Sequence, residues 1–423
     1  MENKFFERTI EDAVRNVSET FPVLLLTGPR QVGKTTLLKK MAERERRIVS
    51  LDDPSIRQAA IEDPAMFLQR YEPPVLIDEV QYAPELFPYI KMYVDANKNC
   101  GDFWLTGSQT FRMMKNVTES LAGRVGILEM EGLSNSEING RRYAAFDADI
   151  PSLIKRLDHG NSMSLMEVFE RIYKGSMPRL YENESVNREH YFESYLQTYI
   201  SRDIRDLSQV ADEMNFFRFL RAVAARTATN VNYEALANEM DISAPTAKQW
   251  LSILVSSGLV LFVQPYFNNA LNRVIKAPRM YFLDTGLCAY LTGWNSPEVL
   301  EKGAMSGQIF ETWVVGEIYK SYLNAGKKPP LYFYLDSNQK EIDLILYQNG
   351  IVNPIEIKKA SAPKGATKHF SVLKPIEKEP EKDDVFKGTS HLKTEIGTGL
   401  VICLPSDIIP IDKKNWYVPA WLI

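Results

Sequence analysis

The chain has 423 residues, 45% hydrophobic and 25% charged, a composition that excludes a disordered or collagen-like chain and calls for roughly two to four packed domains. Lysine and arginine total 50 against 54 acidic residues, a net charge of −4, so no global basic field exists and any nucleic-acid contact needs a local patch. Cys100, Cys288 and Cys403 lie far apart, as do the four histidines, which excludes a disulfide framework and any zinc or haem spacing. With no apolar leader at 1–14 and no run of about 18 apolar residues, the expectation is a cytoplasmic protein with no membrane partner.

In chain order, apolar runs at 23–29, 47–53, 74–80, 103–109 and 124–130 read as strands, with helical patterns at 34–46 and 84–98. Strand–helix alternation with nearly continuous apolar strands predicts an α/β domain built on a parallel sheet over 1–132. Residues 133–210 read as a helical extension with a turn at Gly175-Ser176-Met177-Pro178. Helices are then predicted at 213–225, 233–240 and 243–257, followed by a hairpin around the polar turn 268–272. That order is a winged-helix arrangement, assigned to 211–292. A last α/β domain is expected over 300–423, with a helix at 306–323, strands at 331–335, 341–347, 351–357 and 399–404, and a charged loop or helix at 374–387.

The segment Gly28-Pro29-Arg30-Gln31-Val32-Gly33-Lys34-Thr35 matches the phosphate-loop pattern GxxxxGK[ST], with Thr36 next on the helix. Backbone N–H groups would cradle the phosphates, Lys34 would neutralise charge, and the Thr35 hydroxyl would bind Mg²⁺. The loop follows an apolar strand and opens a helix, as this chemistry requires. Downstream, the strand at 75–78 ends in Asp78 and Glu79. Asp78 is the candidate for the Mg²⁺ shell and Glu79 for the base that polarises water. Ser108, at the end of the next strand, is a candidate sensor of the γ-phosphate. Arg124 is read either as an arginine finger, in cis or from a neighbouring subunit of a homo-oligomer, or as a surface residue. The nucleotide is ATP or GTP, with Mg²⁺.

In the last domain, Glu341-Ile-Asp343 and Pro354-Ile-Glu356-Ile-Lys358 flank the hairpin turn Gln348-Asn349-Gly350. Period-two alternation places Glu356 and Lys358 on one side, and the hairpin brings Asp343 toward Glu356. Glu311 falls on an apolar helix face, where a carboxylate is expensive without a partner. Asp343 and Glu356 could ligate Mg²⁺ beside Lys358; an ion pair on the polar face of the hairpin is the other reading.

The chain resembles a bacterial and archaeal family of AAA-type P-loop ATPases with a C-terminal domain of unknown function that is similar to PD-(D/E)XK nucleases. The stretches carrying the resemblance are GPRQVGKTTLL (28–38), VLIDEVQ (75–81), LTGSQ (105–109), LAGR (121–124), GSMPR (175–179), YISRDI (199–204), FLDTGLCAYL (282–291), GQIFETWVVGEI (307–318), EID (341–343), IEIKKA (355–360) and VPAWLI (418–423). The resemblance implies an additional-strand ATPase core, a winged helix and a nuclease-like end. It implies that Lys34, Thr35, Asp78 and Glu79 serve ATP, and that Glu311, Asp343, Glu356 and Lys358 match the nuclease signature.

The winged-helix segment argues less clearly for DNA. Residues 205–280 carry eight basic against six acidic residues, and Lys248 is the only charge on the third helix. Phosphate contacts dominate DNA affinity and need more basic groups. The preferred expectation is an Mg²⁺-dependent ATPase controlling a nuclease-like domain that acts on DNA or RNA. Its rivals are a nucleotide-dependent switch or scaffold with an inert C-terminal site, and a ring ATPase that binds DNA through the winged helix.

Overall fold

The structure, a computed structural model, describes residues 5–108, 117, 119–159, 162–183, 185–199, 213–266, 277–375 and 394–423. The expected strand end at Gln109, the polar turn 268–272, residues 200–204 of YISRDI and most of the charged stretch lie outside them.

The N-terminal third alternates strands β1 (Val23–Thr27), β2 (Arg47–Ser50), β3 (Val75–Asp78), β4 (Phe103–Thr106) and β5 (Val125–Glu129) with helices α1 (Glu11–Thr20), α2 (Lys34–Met41), α3 (Pro54–Glu62), α4 (Pro64–Arg70) and α5 (Leu86–Asn97). The strands form one parallel sheet in the order β2-β3-β4-β1-β5. Every residue of β1 is buried, and its alternation serves two cores. Val23 and Leu25 pack with α3–α5, whereas Leu24 and Leu26 join the large core shared with the rest of the molecule. Asp53 and Asp63 cap α3 and α4, each followed by proline at the first helical position, which preorganises both helix starts.

A helical segment follows: α6 (Asn135–Ile138), α7 (Ile150–His159), α8 (Leu165–Lys174), α9 (Arg179–Glu182) and α10 (Arg188–Tyr199). Ser134 with Glu137 and Ser164 with Glu167 form capping boxes that start α6 and α8. Next come α11 (Glu213–Ala224), α12 (Tyr233–Met240) and α13 (Ala244–Ser256), with β6 (Thr229–Asn230), β7 (Val260–Pro265) and β8 (Arg279–Phe282) pairing antiparallel. Trp250 of α13 is buried edge-on to Phe216 and Phe219, with ring centroids 5.3 and 5.4 Å apart.

Two helices, α14 (Thr285–Leu291) and α15 (Pro297–Lys302), lead into the long α16 (Ser306–Asn324). Strands β9 (Leu331–Leu335), β10 (Glu341–Gln348), β11 (Ile351–Ile357), β12 (Glu395–Ile396), β13 (Gly399–Cys403), β14 (Ile409–Pro410) and β15 (Asn415–Pro419) complete the chain. Strand β9 also pairs parallel with β7, at Gln264 opposite Tyr332 and Pro265 opposite Phe333. The three strands β6–β8 and the C-terminal strands are therefore one continuous sheet. No helix among the described residues is long and apolar enough to cross a membrane.

Candidate functional site

The phosphate loop connects β1 to α2. Gly28 has φ 142°, and a Cβ there would lie 2.0 Å from the Met130 carbonyl oxygen, so only glycine lets the loop pass the end of β5. Gly33, at φ 97°, turns the chain into α2. Behind the loop, Arg8 donates from Nη1 to the Val32 carbonyl (2.8 Å) and from Nη2 to the Glu131 carbonyl (2.7 Å). Its Nε pairs with Glu137 at 3.2 Å, whose carboxylate also accepts from the Thr9 and Ser134 backbone N–H groups. Nothing in the local pattern around Arg8 marks this brace, because its partners lie 24 to 129 residues away.

Lys34 is buried, and its ammonium donates to the carbonyls of Gly28 (2.9 Å) and Pro29 (2.7 Å). Burial pushes it down to about 8, with Glu79 opposing the shift. Thr35 donates its hydroxyl to Asp78 Oδ1 at 2.6 Å. Thr106 donates to the same oxygen and Ser50 to Oδ2 at 3.2 Å, so Asp78 is held by hydroxyls from the first turn of α2 and from the ends of the two strands that flank β3. Glu79 follows with φ 58°, a left-handed conformation that is costly for a non-glycine residue. Its backbone N–H reaches the Thr106 hydroxyl at 3.3 Å. Gln81 bridges the Glu79 carboxylate to Ser108 Oγ, the latter at 3.2 Å. Gln81 and Thr106 were not singled out from the sequence, although both lie inside stretches that carried the resemblance.

A cleft of about 640 Å³ opens in front of this group, lined on one side by Arg30, Gln31, Gly33, Lys34, Thr35, Thr36 and Glu79. The helical segment supplies its opposite wall, with Pro178 and Arg179 at the turn into α9 and Tyr191 on α10. A second hollow of about 230 Å³ adjoins it, lined by Phe5, Phe6, Val32, Thr36, Leu37 and Pro178. The polar cleft and the apolar hollow share Gly33, Thr36, Pro178 and Glu182. Together they offer room for a charged tail and a flat apolar head. A hydroxyl beside a carboxylate is an oxygen donor set that fits Mg²⁺, and the neighbouring loop with its lysine fits a polyphosphate.

Of the readings left open for Arg124, a finger acting in cis does not agree with its position. Arg124 precedes β5 at the end where Val23 enters β1, whereas the phosphate loop leaves the other end of β1. In a parallel sheet the two ends of a five-residue strand are roughly 13–16 Å apart. Arg124 instead pairs with Asp95 on α5 and donates to the Ala122 carbonyl at 2.9 Å.

The C-terminal carboxylates do assemble. Strand register places Asp343 and Glu356 as the next cross-strand pair after Leu344 opposite Ile355. Asp343 Oδ2 accepts from the Ile357 N–H (2.9 Å) and from Lys358 Nζ (3.1 Å), and the same ammonium lies 2.7 Å from Glu356 Oε1. Glu311 accepts from the Tyr281 hydroxyl at 2.8 Å and pairs with Arg279 at 3.4 Å. Arg279, on β8, also pairs with Glu341 and stands 4.0 Å from Asp343. Burial, together with the Asp343 charge, raises both Glu311 and Glu356 above the usual carboxylate range. The Lys358 ammonium joins Asp343 and Glu356, the arrangement of the ion-pair reading of the hairpin. Among the described residues, no three His, Cys, Asp or Glu side chains are grouped to hold a metal ion.

Comparison with known proteins divides the chain into three stretches. Residues 20–139 match the model of the AAA domain. An AAA-type P-loop ATPase domain thus occupies the N-terminal third. Residues 166–298 match a domain of unknown function, DUF8612, and residues 306–423 another, DUF4143. Uncharacterized proteins of Mycobacterium tuberculosis and Mycobacterium bovis are each 26% identical over 352 residues, covering 83% of this chain and 73% of theirs. Among solved structures, RuvB of Thermotoga maritima aligns over 60% of this chain and 85% of its own, at 16% identity and a TM-score of 0.28.

Proposed function

We propose that the protein is an Mg²⁺-dependent ATPase working as a nucleotide-dependent switch, with the C-terminal domain as the element that responds. The observation that carries this reading is the juxtaposition of Lys34, Thr35 and Asp78 at one mouth of the parallel sheet, facing the cleft between sheet and helical segment. Mg²⁺ bound with the nucleotide would supply Lewis-acid stabilisation of charge on the phosphates. Lys34 would exchange its two loop carbonyls for phosphate oxygens, Thr35 and Asp78 would hold the cation, and Glu79 would accept a proton from water, its carboxylate positioned by Gln81, whose amide also donates to Ser108. Arg179 is the cation offered by the far wall, and Phe5, Phe6 and Pro178 receive the base.

What supports coupling is the junction behind the loop. Glu131 is buried, and burial raises its carboxyl well above the usual range. Nearby, Lys320 on α16 donates to the Leu133 carbonyl at 2.9 Å and pairs with Glu317 at 2.6 Å, while Glu317 accepts from the Asn135 N–H at 2.8 Å. The chain leaving β5 is therefore tied both to the phosphate loop, through Arg8, and to α16.

Titration calorimetry with ATP, GTP and Mg²⁺, followed by phosphate-release assays, tests the reading. ATP should bind with Mg²⁺, and Lys34→Ala should abolish turnover. Glu79→Gln should bind nucleotide yet turn it over at least 100-fold more slowly, the range of a lost general base. Hydrolysis unchanged in both variants would remove the site assignment.

A further inference from the structure

We infer that the guanidinium of Arg279 takes the place of a divalent cation in the C-terminal carboxylate cluster, making the site a metal-free brace that joins β8 to α16 and β10. Four carboxylates gather there, Glu311, Glu341, Asp343 and Glu356. Arg279 stands at three of them, pairing with Glu311 at 3.4 Å, with Glu341, and approaching Asp343 to 4.0 Å. Lys358 bridges Asp343 and Glu356 at 3.1 and 2.7 Å. Both Arg279 and Asp343 are more than nine-tenths buried. In such surroundings a carboxylate cluster without a cation is far too costly to keep charged.

A planar guanidinium satisfies carboxylates through directed N–H donors. A magnesium ion would need several of these oxygens at about 2.0–2.1 Å, far closer than the 3.4 and 4.0 Å at which Glu311 and Asp343 stand from Arg279 Nη1. One further atom points to a latent cation site. Glu356 Oε2 is buried and makes no hydrogen bond, on a residue 8% exposed. Remove Arg279, and the cluster keeps its four carboxylates and this unpartnered oxygen with Lys358 as the one cation pairing with them among the described residues, an excess of negative charge that favours uptake of a divalent ion.

The strand arrangement explains why this residue is the brace. Arg279 begins β8, which among the described residues joins the C-terminal strands in the sheet through β7 and its parallel pairing with β9. Its guanidinium lies over the Phe333 ring of β9 at 4.9 Å. The cation thus arrives from the segment 211–292, outside the domain that carries the carboxylates.

The test is Mn²⁺ titration of the full chain without nucleotide, followed by electron paramagnetic resonance and by thermal melts. Wild type and Asp343→Asn should bind the same amount of Mn²⁺, and Arg279→Lys should behave as wild type. Arg279→Gln should gain about one Mn²⁺ per chain, should lose it again in Arg279→Gln/Asp343→Asn, and should melt higher when Mn²⁺ is added. A wild-type Mn²⁺ site that disappears in Asp343→Asn would overturn the inference, a comparison that stands even where Arg279→Gln fails to fold. A folded Arg279→Gln that gains no Mn²⁺ would overturn it equally.

Discussion

Lys34 sets the pH behaviour of the nucleotide site. Without nucleotide, burial holds its ammonium down to about 8; phosphates beside it favour the charged form and raise it. Affinity is therefore complete below about pH 8 and declines as pH rises above it, and binding takes up protons. Near pH 8 the uptake should be roughly half a proton per nucleotide, readable by calorimetry in buffers of different ionisation enthalpy. An uptake of zero at pH 8 would mean that Lys34 does not meet the phosphates. Arg8 is a second decisive residue. Its partner Glu137 is buried, which by itself would raise the carboxyl, but the Arg8 charge and the Ser134 and Thr9 N–H groups hold it below the usual range. A depressed carboxyl contributes stability above its ordinary value near 4.5, and that contribution is lost as pH falls toward the folded value. Arg8→Met should destabilise the chain by about 3–5 kcal/mol at neutral pH, because Glu137 is left charged and buried. Urea denaturation measures this, and much of the loss should vanish in Arg8→Met/Glu137→Gln.

Helix α16 is the element that reaches both ends of the molecule's chemistry. Glu311 near its start touches Arg279 and Tyr281, and Glu317 and Lys320 further on touch the segment behind the phosphate loop. Six to nine residues of α-helix separate these positions, about 9–14 Å along one rigid rod. The Glu317–Lys320 pair is almost wholly buried, so Lys320→Met should cost about 3 kcal/mol, and pairing it with Glu317→Leu should recover part of that loss. A urea midpoint unchanged by Lys320→Met would show that α16 is not anchored there. Within α13, the apolar residues Trp250, Leu251 and Leu254 are buried in the core. A helix so employed reads as a packing element, in line with its single charge at Lys248.

At the scale of the whole molecule, the β7–β9 pairing makes the C-terminal sheet depend on strands from the preceding segment. A fragment beginning at residue 300 would expose the β9 edge and leave the carboxylates without Arg279. It should be less stable than the full chain and prone to aggregate, which ultracentrifugation and circular dichroism would reveal. With Lys358 and Arg279 neutralising the acidic cluster, the full chain incubated with Mg²⁺ or Mn²⁺ and mixed DNA and RNA should cleave neither. Cleavage lost in Asp343→Ala would restore the nuclease expectation. Arg124, far from its own phosphate loop, could meet a nucleotide only across a subunit contact. Mixing Arg124→Ala with Lys34→Ala chains and measuring turnover against ATP-induced oligomers tests that arrangement.

Residues adjacent in the chain made the phosphate site legible without a structure. A glycine-flanked bend, a lysine and a threonine work through backbone geometry spanning eight positions, and a parallel sheet puts the C-terminal end of the strand carrying the two acids on the same edge as the loop, although strand order sets β4 between them. The hairpin was legible for the same reason, since Asn349-Gly350 and period-two alternation set Asp343 opposite Glu356. Tertiary structure alone decided what those groups meet. Strand direction put Arg124 at the wrong end of the sheet, and the helical segment folded back to bring Pro178 and Arg179 over the cleft. Contacts across more than a hundred residues placed Arg8 against Glu137. Arg279 reached Glu341 from a strand that precedes it by 62 positions. Local spacing encodes backbone shape and the direction of side chains along one element. The cation that neutralises a carboxylate is chosen by how distant elements pack.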